Sequence, residues 1–400
     1  MRQSSRRKVV KTMKKLTFNL RRVGTRRAFI VSTALIAVSS FAGSLFAQSD
    51  VALDHRNPRV QQVMALQNAV TPELMKLDDI IGTATGLDEQ GNVAVVVYVN
   101  QHGRSAAAIA RAMPKDIRGT PVVVEFTDEI RALKPGPAAK PAPAPTVSHK
   151  AKQTSPIQLG TSGGWGKDLA NGYCCGGTLG SLVQVTDSSG NVTKYILSNY
   201  HVFESDIVEG GNNRVATTGD PIIQPGLIDV GCNADNAQVV ATLVQLSSLP
   251  NSNVDASVAR VIDGMVSDDG AILEIGTISS STVAASLNQK VKKSGRTTGL
   301  TRSYVTGLNA TVSVTYDNEC AGDVAFTKTF TGQIIVANRA SKFLAGGDSG
   351  SLMVKDIDTN PPAVGLLFAG SSSLAVANPI DEVLTFIGGA LGGTATMVGN

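Results

Sequence analysis

Three side chains in the second half of the sequence have the types and settings that acyl transfer by a serine requires. Ser349 lies in the run Gly346–Ser351, whose glycines can adopt the positive φ angles of a tight turn and have no Cβ to obstruct an approaching carbonyl. His201 follows an apolar strand, and Asp255 lies where a polar loop enters another. Together they supply a nucleophile, a base and a carboxylate that orients the base. The sequence therefore predicts nucleophilic catalysis.

Each of these residues also has an ordinary structural interpretation. Ser349 alone is compatible with a Gly-Asp-Ser-Gly turn, and His201 with a histidine that caps a strand end. His201 is favoured as the base because no other histidine follows the predicted linker, residues 135–156. Three other acids compete with Asp255 as the orienting carboxylate: Asp206, Asp220 and Asp229.

The composition predicts that strands hold these side chains. The sequence has 40 glycines and few aromatic residues, and Val, Thr and Ser recur in short runs between Gly, Asn, Asp and Ser turns. From residue 160 onward helical periodicity is nearly absent until Ile380–Ile387. An antiparallel barrel or sandwich explains this pattern better than a doubly wound sheet. We predict a mainly β domain over residues 157–400.

A proline-rich stretch separates this domain from a smaller one. Six prolines lie between Pro135 and Pro156, among residues that are too small or too polar to form a core. We predict a linker over residues 135–156 and, before it, a small α/β domain over residues 48–134 with its helices on one sheet face. Nothing in that domain suggests chemistry, and its His55 and His102 are expected at the surface.

The first 47 residues predict export. All eleven Lys and Arg residues before Ala28 lie in a stretch without an acid, and an apolar run with small residues near its end continues to Ala47. Arg26 and Arg27 also resemble a twin-arginine signal, so the export route stays open, as does an uncleaved anchor. We expect a cleaved signal peptide over residues 1–47, a secreted or periplasmic location and no stable membrane association afterwards.

The export segment also carries the positive charge of the chain. Subtracting its eleven basic residues from 36 leaves 25 against 32 acidic residues, so the formal charge of +4 changes sign. No basic patch remains that would favour nucleic acid, and this class of partner is excluded.

All four cysteines, Cys174, Cys175, Cys232 and Cys320, lie in the predicted β domain, where export makes disulfides plausible. Three pairings are possible. Neighbouring cysteines fit disulfide geometry poorly, so Cys174 and Cys175 are each expected to reach Cys232 or Cys320. The spacing lacks the paired C-x-x-C arrangement of a structural zinc site, and no metal is expected.

Taken together, the motifs resemble the chymotrypsin-like serine proteases, specifically bacterial members with an N-terminal extension. In that family His, Asp and Ser follow one another in this order. Gly347–Ser351 resembles the nucleophile loop, Ser198–His201 the histidine turn and Val254–Ala256 the aspartate segment. The resemblance covers about residues 160–388. It implies a chymotrypsin-like double β-barrel after the small α/β domain, and an oxyanion hole formed by the amides of Gly347 and Ser349.

The resemblance also implies where a substrate binds. Phe368, Ala369 and Gly370 resemble the strand on which an extended substrate pairs through its backbone. The position six before the nucleophile would lie at the base of the specificity pocket, and it is Phe343, which gives no support for a preference for Arg or Lys. Val202 stands where animal members have a cysteine, so Cys175 needs another partner.

These observations predict an exported serine endopeptidase that cleaves polypeptides through an acyl-enzyme on Ser349, without a cofactor. The competing hypothesis is a catalytically inactive, protease-like domain that binds peptides. A third hypothesis makes the N-terminal domain an inhibitory pro-segment that is cut at the linker. The natural substrate and the oligomeric state are not indicated by the sequence.

Overall fold

The computed structural model describes residues 52–132, 147–170, 173–204, 216–318, 323–338 and 342–400. The expected signal peptide, most of the proline-rich stretch, Asp206 and Cys320 lie outside these ranges.

The N-terminal unit combines two helices with short strands. Its elements are α1 (Pro58–Leu74), β1 (Ile80–Leu87), β2 (Val93–Asn100), α2 (Ala106–Ala112), β3 (Asp116–Ile117), β4 (Thr120–Thr127) and β5 (Arg131–Ala132). Helix α1 begins after Asn57, whose side chain accepts a hydrogen bond from the Arg59 amide at 2.9 Å. In the β1–β2 turn the Asp88 carboxylate accepts a hydrogen bond from the Asn92 amide at 2.8 Å. Strands β2 and β4 are parallel and are joined through α2.

Eight strands of the second unit, the part of the chain that follows the proline-rich stretch, form the first barrel. They are β6 (Thr161–Trp165), β9 (Gly177–Leu179), β10 (Ser181–Asp187), β11 (Val192–Ser198), β12 (Pro221–Gln224), β13 (Gln238–Val244), β14 (Ser257–Val261) and β21 (Gly393–Met397). Their order is β21-β10-β11-β14-β13-β12-β6-β9. Strand β9 is at one end of this order and β10 is the second strand from the other end, yet only Gly180 separates them along the chain. The sheet therefore curls back on itself. Strands β7 (Leu169–Ala170) and β8 (Tyr173–Cys174) form a separate hairpin.

The second barrel contains six strands. They are β15 (Lys290–Gly295), β16 (Gly299–Asn318), β17 (Asp323–Ala337), β18 (Leu352–Lys355), β19 (Ala363–Gly370) and β20 (Leu374–Pro379). Their order is β15-β18-β19-β20-β17-β16, and an additional β15–β16 pairing closes the ring. Helix α4 (Ile380–Leu391) follows β20, and the one-turn helix α3 (Tyr200–Phe203) follows β11 of the first barrel.

The sheet of the N-terminal unit continues the second barrel. Strand β1 pairs antiparallel with β16, for example through Gly82 and Val312. Strand β16 spans 20 residues and β17 spans 15, which is longer than the short runs of Val, Thr and Ser that indicate strands in the sequence. The extra length lets β16 pair with β15, β17 and β1. The two units are therefore joined by main-chain hydrogen bonds as well as by packing.

Three large apolar clusters fill the interior. The first contains residues of the first barrel, of α4 and of β18 and β19 of the second barrel. The second includes residues of α1, of the N-terminal sheet and of the second barrel. The third also spans both units and is rich in aromatic side chains: Tyr98, Tyr200, Tyr316, Phe330 and Phe368. The expected fold class is confirmed: a mainly β double barrel preceded by a small α/β unit.

One disulfide joins Cys174 and Cys232, which agrees with one of the two partners expected for Cys174. Cys175 is also disulfide-bonded. None of the helices in the described ranges is both long and apolar enough to cross a bilayer.

Candidate active site

The turn that carries His201 is bound to Asp255 through its main chain. It leaves the end of β11 as helix α3, and the Tyr200 amide donates to Asp255 Oδ1 at 2.8 Å. The Asn199 side chain donates to the Asp255 carbonyl oxygen at 2.7 Å. These contacts fix the histidine turn relative to the aspartate segment, independently of any contact between the imidazole and the carboxylate.

The imidazole and the carboxylate are themselves in contact. His201 Nδ1 lies 2.6 Å from Asp255 Oδ2, and both side chains are almost fully buried. An ionised carboxylate only accepts hydrogen bonds, so this contact requires the hydrogen on Nδ1, and a neutral ring then has its lone pair on Nε2. Nε2 is buried without a hydrogen-bond partner in the described ranges. This is the tautomer that a general base requires.

Tyr316 of β16 provides a second side-chain donor to the same carboxylate. Its hydroxyl donates to Asp255 Oδ2 at 2.8 Å. Burial, and next the charge of Asp255, raise the pKa of Tyr316 well above its usual value, so it stays a donor at any working pH. Sequence reasoning missed Tyr316, because an inward-facing tyrosine in a strand pattern looks like any core residue.

A second buried carboxylate, Glu204, supports the aspartate segment. It accepts hydrogen bonds from the amides of Leu246 and Ser247 at 3.0 Å and from Ser257 Oγ at 2.8 Å. Burial is the main cause that raises the pKa of Glu204. Because Ser257 is two residues after Asp255, these bonds anchor the start of β14 beside the histidine turn.

The loop that carries Ser349 is anchored by the side chain of Asp348. This fully buried carboxylate accepts hydrogen bonds from the Thr297 amide at 2.8 Å and from Thr298 Oγ1 at 2.7 Å, and it lies 3.4 Å from Lys293 Nζ. Lys293 is itself fully buried, and burial lowers its pKa although the charge of Asp348 acts in the opposite direction. The loop is thus tied to β15 and to the turn after it.

Two threonines fix the orientation of peptide groups in this loop. Thr297 Oγ1 donates to the Gly346 carbonyl at 2.6 Å, and Thr178 Oγ1 donates to the Gly347 carbonyl at 2.9 Å. In a trans peptide the C=O and N–H bonds point in opposite directions. Holding the Gly346 carbonyl toward Thr297 therefore directs the Gly347 N–H away from Thr297. That amide is one of the two that the sequence assigns to the oxyanion hole.

The side chain of Thr297 contacts a buried ion pair between Arg296 and Asp229. Arg296 Nη1 donates to Thr297 Oγ1 at 3.0 Å, while Arg296 Nε and Nη2 each donate to the Asp229 carboxylate at 2.6 Å. Asp229, one of the acids that competed with Asp255, is therefore committed to an arginine. A Cβ at Gly347, where φ is +94°, would lie 2.6 Å from Thr297 Oγ1, so this position needs glycine.

The histidine turn and the nucleophile loop meet at Gly177 of β9. A Cβ there would lie 2.6 Å from a Val202 methyl group and 3.1 Å from the Ser349 carbonyl oxygen. The Ser349 hydroxyl lies 3.5 Å from the Phe368 carbonyl. His201 Nε2 thus has no hydrogen bond to Ser349, although the two loops touch a common residue. Such contacts are often long before a substrate is bound.

The residues expected to bind substrate have two different environments. Phe343 is fully buried in the apolar cluster shared by the second barrel and the N-terminal unit, so it does not line an open pocket in this structure. Phe368, Ala369 and Gly370 lie on β19, where the Phe368 carbonyl is 3.5 Å from the Ser349 hydroxyl. Ala369 and Gly370, however, are paired antiparallel with Ala132 and Arg131 of β5.

His149 lies in the stretch predicted to be a linker, residues 135–156. It is buried, with Nδ1 2.8 Å from the Gly160 carbonyl and Nε2 2.6 Å from the Glu274 carboxylate. Its ring thereby holds the start of the second unit against the barrel. No group of three or more His, Cys, Asp or Glu side chains in the described part of the chain could hold a metal ion.

No family model and no curated protein matches the chain. Solved structures that resemble it include a glutamic acid specific serine protease, described as using a histidine triad in substrate binding, with 20% identity and a TM-score of 0.37. Two others are Thermobifida fusca protease A, with 18% identity and a TM-score of 0.38, and Cellulomonas bogoriensis chymotrypsin, with 19% identity and a TM-score of 0.34. The matches cover 60%, 61% and 61% of this chain and 100%, 99% and 99% of those chains, respectively. All three structures are thus bacterial chymotrypsin-like proteases, similar to this chain at low identity.

Proposed function

We propose that this chain is an exported serine endopeptidase with Ser349 as nucleophile, His201 as base and Asp255 as orienting carboxylate. The observation that carries the proposal is the buried His201–Asp255 contact of 2.6 Å, which directs Nδ1 to the carboxylate and leaves Nε2 without a partner in the described ranges, while Val202 and Ser349 both approach Gly177. A buried acceptor without a partner is costly to a fold, and such groups concentrate where a function requires them.

In this mechanism Ser349 Oγ attacks the carbonyl carbon of the scissile peptide bond, and its proton passes to His201 Nε2. The imidazolium gives that proton to the departing amine, which leaves an ester on Ser349. Water then attacks the ester carbonyl with His201 as base, and the proton returns to Oγ as the acid product leaves. The amides of Gly347 and Ser349 stabilise the oxyanion in both steps.

The peptide orientation imposed by Thr297 supports this role for Gly347. If the Gly346 carbonyl faced the opposite side, its oxygen rather than the Gly347 hydrogen would point at the developing negative charge. The hydrogen bond from Thr297 to the Gly346 carbonyl opposes that flip.

The test is labelling of Ser349 by a fluorophosphonate probe in the secreted chain, before and after cleavage at a site engineered into residues 135–146. We expect labelling that is lost in Ser349→Ala and strongly reduced in Asp255→Asn. Ser189→Ala, in the exposed turn after β10, is the control and should label like the wild type. A folded wild-type chain that never labels, yet binds extended peptides, would favour the inactive peptide-binding domain.

Export is part of the proposal and rests on the N-terminal sequence together with the Cys174–Cys232 disulfide. Such bonds persist in oxidising compartments and are rare in the cytosol. N-terminal sequencing of the protein recovered outside the cytosol should place the first residue close to residue 48.

A further inference from the structure

Strand β5 lies between β16 and β19 and pairs with both; we call the space between these two strands the slot. On one side Arg131 pairs with Thr315 of β16, and the Thr315 amide donates to the Ile130 carbonyl at 2.9 Å. On the other side Arg131 and Ala132 pair antiparallel with Gly370 and Ala369 of β19. The end of the N-terminal unit thus lies on the strand to which an extended substrate is expected to pair.

The direction of β5 matches that of a substrate. The Phe368 carbonyl lies 3.5 Å from Ser349 Oγ, so position 368 is the point of β19 next to the nucleophile. Because the pairing is antiparallel and runs from Gly370–Arg131 to Ala369–Ala132, the main chain of β5 advances toward Phe368. A peptide that continued in this register would bring its next residue to Ser349.

The side chain of Ile130 belongs to an apolar cluster rich in aromatic residues, which we call the aromatic subsite. It is fully buried in the same cluster as Tyr316, Phe330 and Phe368. The ring centroids of Phe330 and Phe368 are 4.9 Å apart, and Tyr316 donates to Asp255. The subsite is therefore built partly from a residue that supports the catalytic pair. Ala132, by contrast, is buried at a position that accepts a small side chain.

Contacts upstream hold the segment in place. Thr127 Oγ1 lies 2.5 Å from Ser371 Oγ and also accepts a hydrogen bond from Ser373 Oγ at 2.7 Å, which ties the end of β4 to the β19–β20 turn. Glu129 accepts a hydrogen bond from Thr315 Oγ1 at 2.6 Å. Together with the β1–β16 pairing, these bonds give the segment a high effective concentration at the slot.

We infer that Ile130–Ala132 is bound as a substrate-like peptide that blocks the site in the intact chain, and that the site selects substrates with a branched aliphatic side chain at the position of Ile130. This inference rests on the proposed function. Main-chain pairing supplies binding that is independent of sequence, and the aromatic subsite supplies the selection. The hypothesis that the N-terminal unit is an inhibitory pro-segment thereby acquires a physical basis.

The first experiment measures the rate of fluorophosphonate labelling of Ser349 in the intact chain. Ile130→Asp places a charge in the aromatic subsite, and we expect it to label at least about tenfold faster than the wild type. The matched control is Ile117→Asp, the same change at a buried isoleucine of β3, at the end of the sheet farthest from β16. Equal acceleration by both variants, or by neither, would overturn the inference.

The second experiment does not depend on the stability of these variants. Wild-type protein is cut at an engineered linker site, diluted, and given two fluorogenic peptides, acetyl-Ile-Arg-Ala-Leu and acetyl-Asp-Arg-Ala-Leu, whose order follows residues 130–133. We expect kcat/KM to be on the order of ten- to a hundredfold higher for the peptide with Ile. Equal cleavage of both peptides would refute the selectivity. A complete absence of labelling and hydrolysis in folded, linker-cut Ile130→Asp protein, in which the block is weakened, would instead refute the proposed function itself.

Discussion

Removing the hydroxyl of Tyr316 tests how the buried carboxylate of Asp255 is stabilised. Asp255 is fully buried and accepts four hydrogen bonds: from His201 Nδ1 at 2.6 Å, the Tyr316 hydroxyl at 2.8 Å, the Tyr200 amide at 2.8 Å and the His201 amide at 3.4 Å. Tyr316→Phe removes one of the two donors to Oδ2. The ring packing should remain, because the ring is stacked on Phe326 at a centroid distance of 4.8 Å.

The size of the effect follows from the charge of the acceptor. A hydrogen bond to a charged buried group contributes about 1.5–3 kcal/mol, and we expect the free energy of unfolding of Tyr316→Phe to fall by about that amount. The carboxylate also loses one of the contacts that fix its direction toward His201. If about 1.4 kcal/mol of that loss appears in the transition state, kcat/KM falls about tenfold.

The assay combines urea unfolding with the rate of Ser349 acylation in linker-cut protein. Tyr98→Phe is the matched control, since Tyr98 is also fully buried, and burial raises its pKa well above the usual value. It lies on β2, and its hydroxyl makes no hydrogen bond to Asp255. We expect the control to acylate at the wild-type rate. A Tyr316→Phe protein within about 0.5 kcal/mol of wild-type stability, and equally fast, would contradict this account of Asp255.

Three further outcomes follow from buried groups. Lys293→Met leaves Asp348 without its counter-charge and should lower the free energy of unfolding by about 3–5 kcal/mol, measured in urea and partly restored by adding Asp348→Asn. Thr297→Val removes the donor to the Gly346 carbonyl and should lower kcat about ten- to a hundredfold at nearly constant KM, while Thr297→Ser restores it. Because burial raises the pKa of Glu204 above its ordinary 4.5, the folded chain holds this proton more tightly than the unfolded chain. Stability should therefore decline as pH rises from 4.5 toward the raised pKa, and unfolding measured across this range should show no such decline in Glu204→Gln.

Local patterns in the sequence were sufficient to predict a mainly β domain of antiparallel strands, and the resemblance to chymotrypsin-like proteases added the expectation of a double barrel. Alternating apolar residues between glycine-rich turns predict short strands, and only a few arrangements of many antiparallel strands bury both sheet faces. The full length of β16 could not be read in the same way. Its ends, near Gly299 and Asn318, are polar and resemble loops, and Asn309 interrupts the strand with a φ of +53°. What extends β16 is pairing with β15 and β1, which no local pattern indicates.

The partners of the candidate catalytic residues were beyond sequence reasoning for a related reason. Tyr316 is 61 residues from Asp255, and Arg296 is 67 residues from Asp229. Several tyrosines and acids have similar neighbours in the sequence, and only the closure of the two barrels decides which of them meet. Asp229 illustrates this: as a candidate for the orienting carboxylate it looked comparable to Asp220, yet its charge is used to hold the guanidinium behind Thr297.

The position of β5 is the clearest case in which structure adds what sequence cannot. A strand of two residues has no stability of its own. Arg131–Ala132 is extended because it pairs with main-chain groups on both sides, at Thr315 of β16 and at Gly370 of β19. Any extended peptide that enters the slot must pair with those same groups. Under the proposed function, a substrate and the end of the N-terminal unit would therefore exclude one another, and a unit without any chemically suggestive side chain would act on the candidate active site through its backbone.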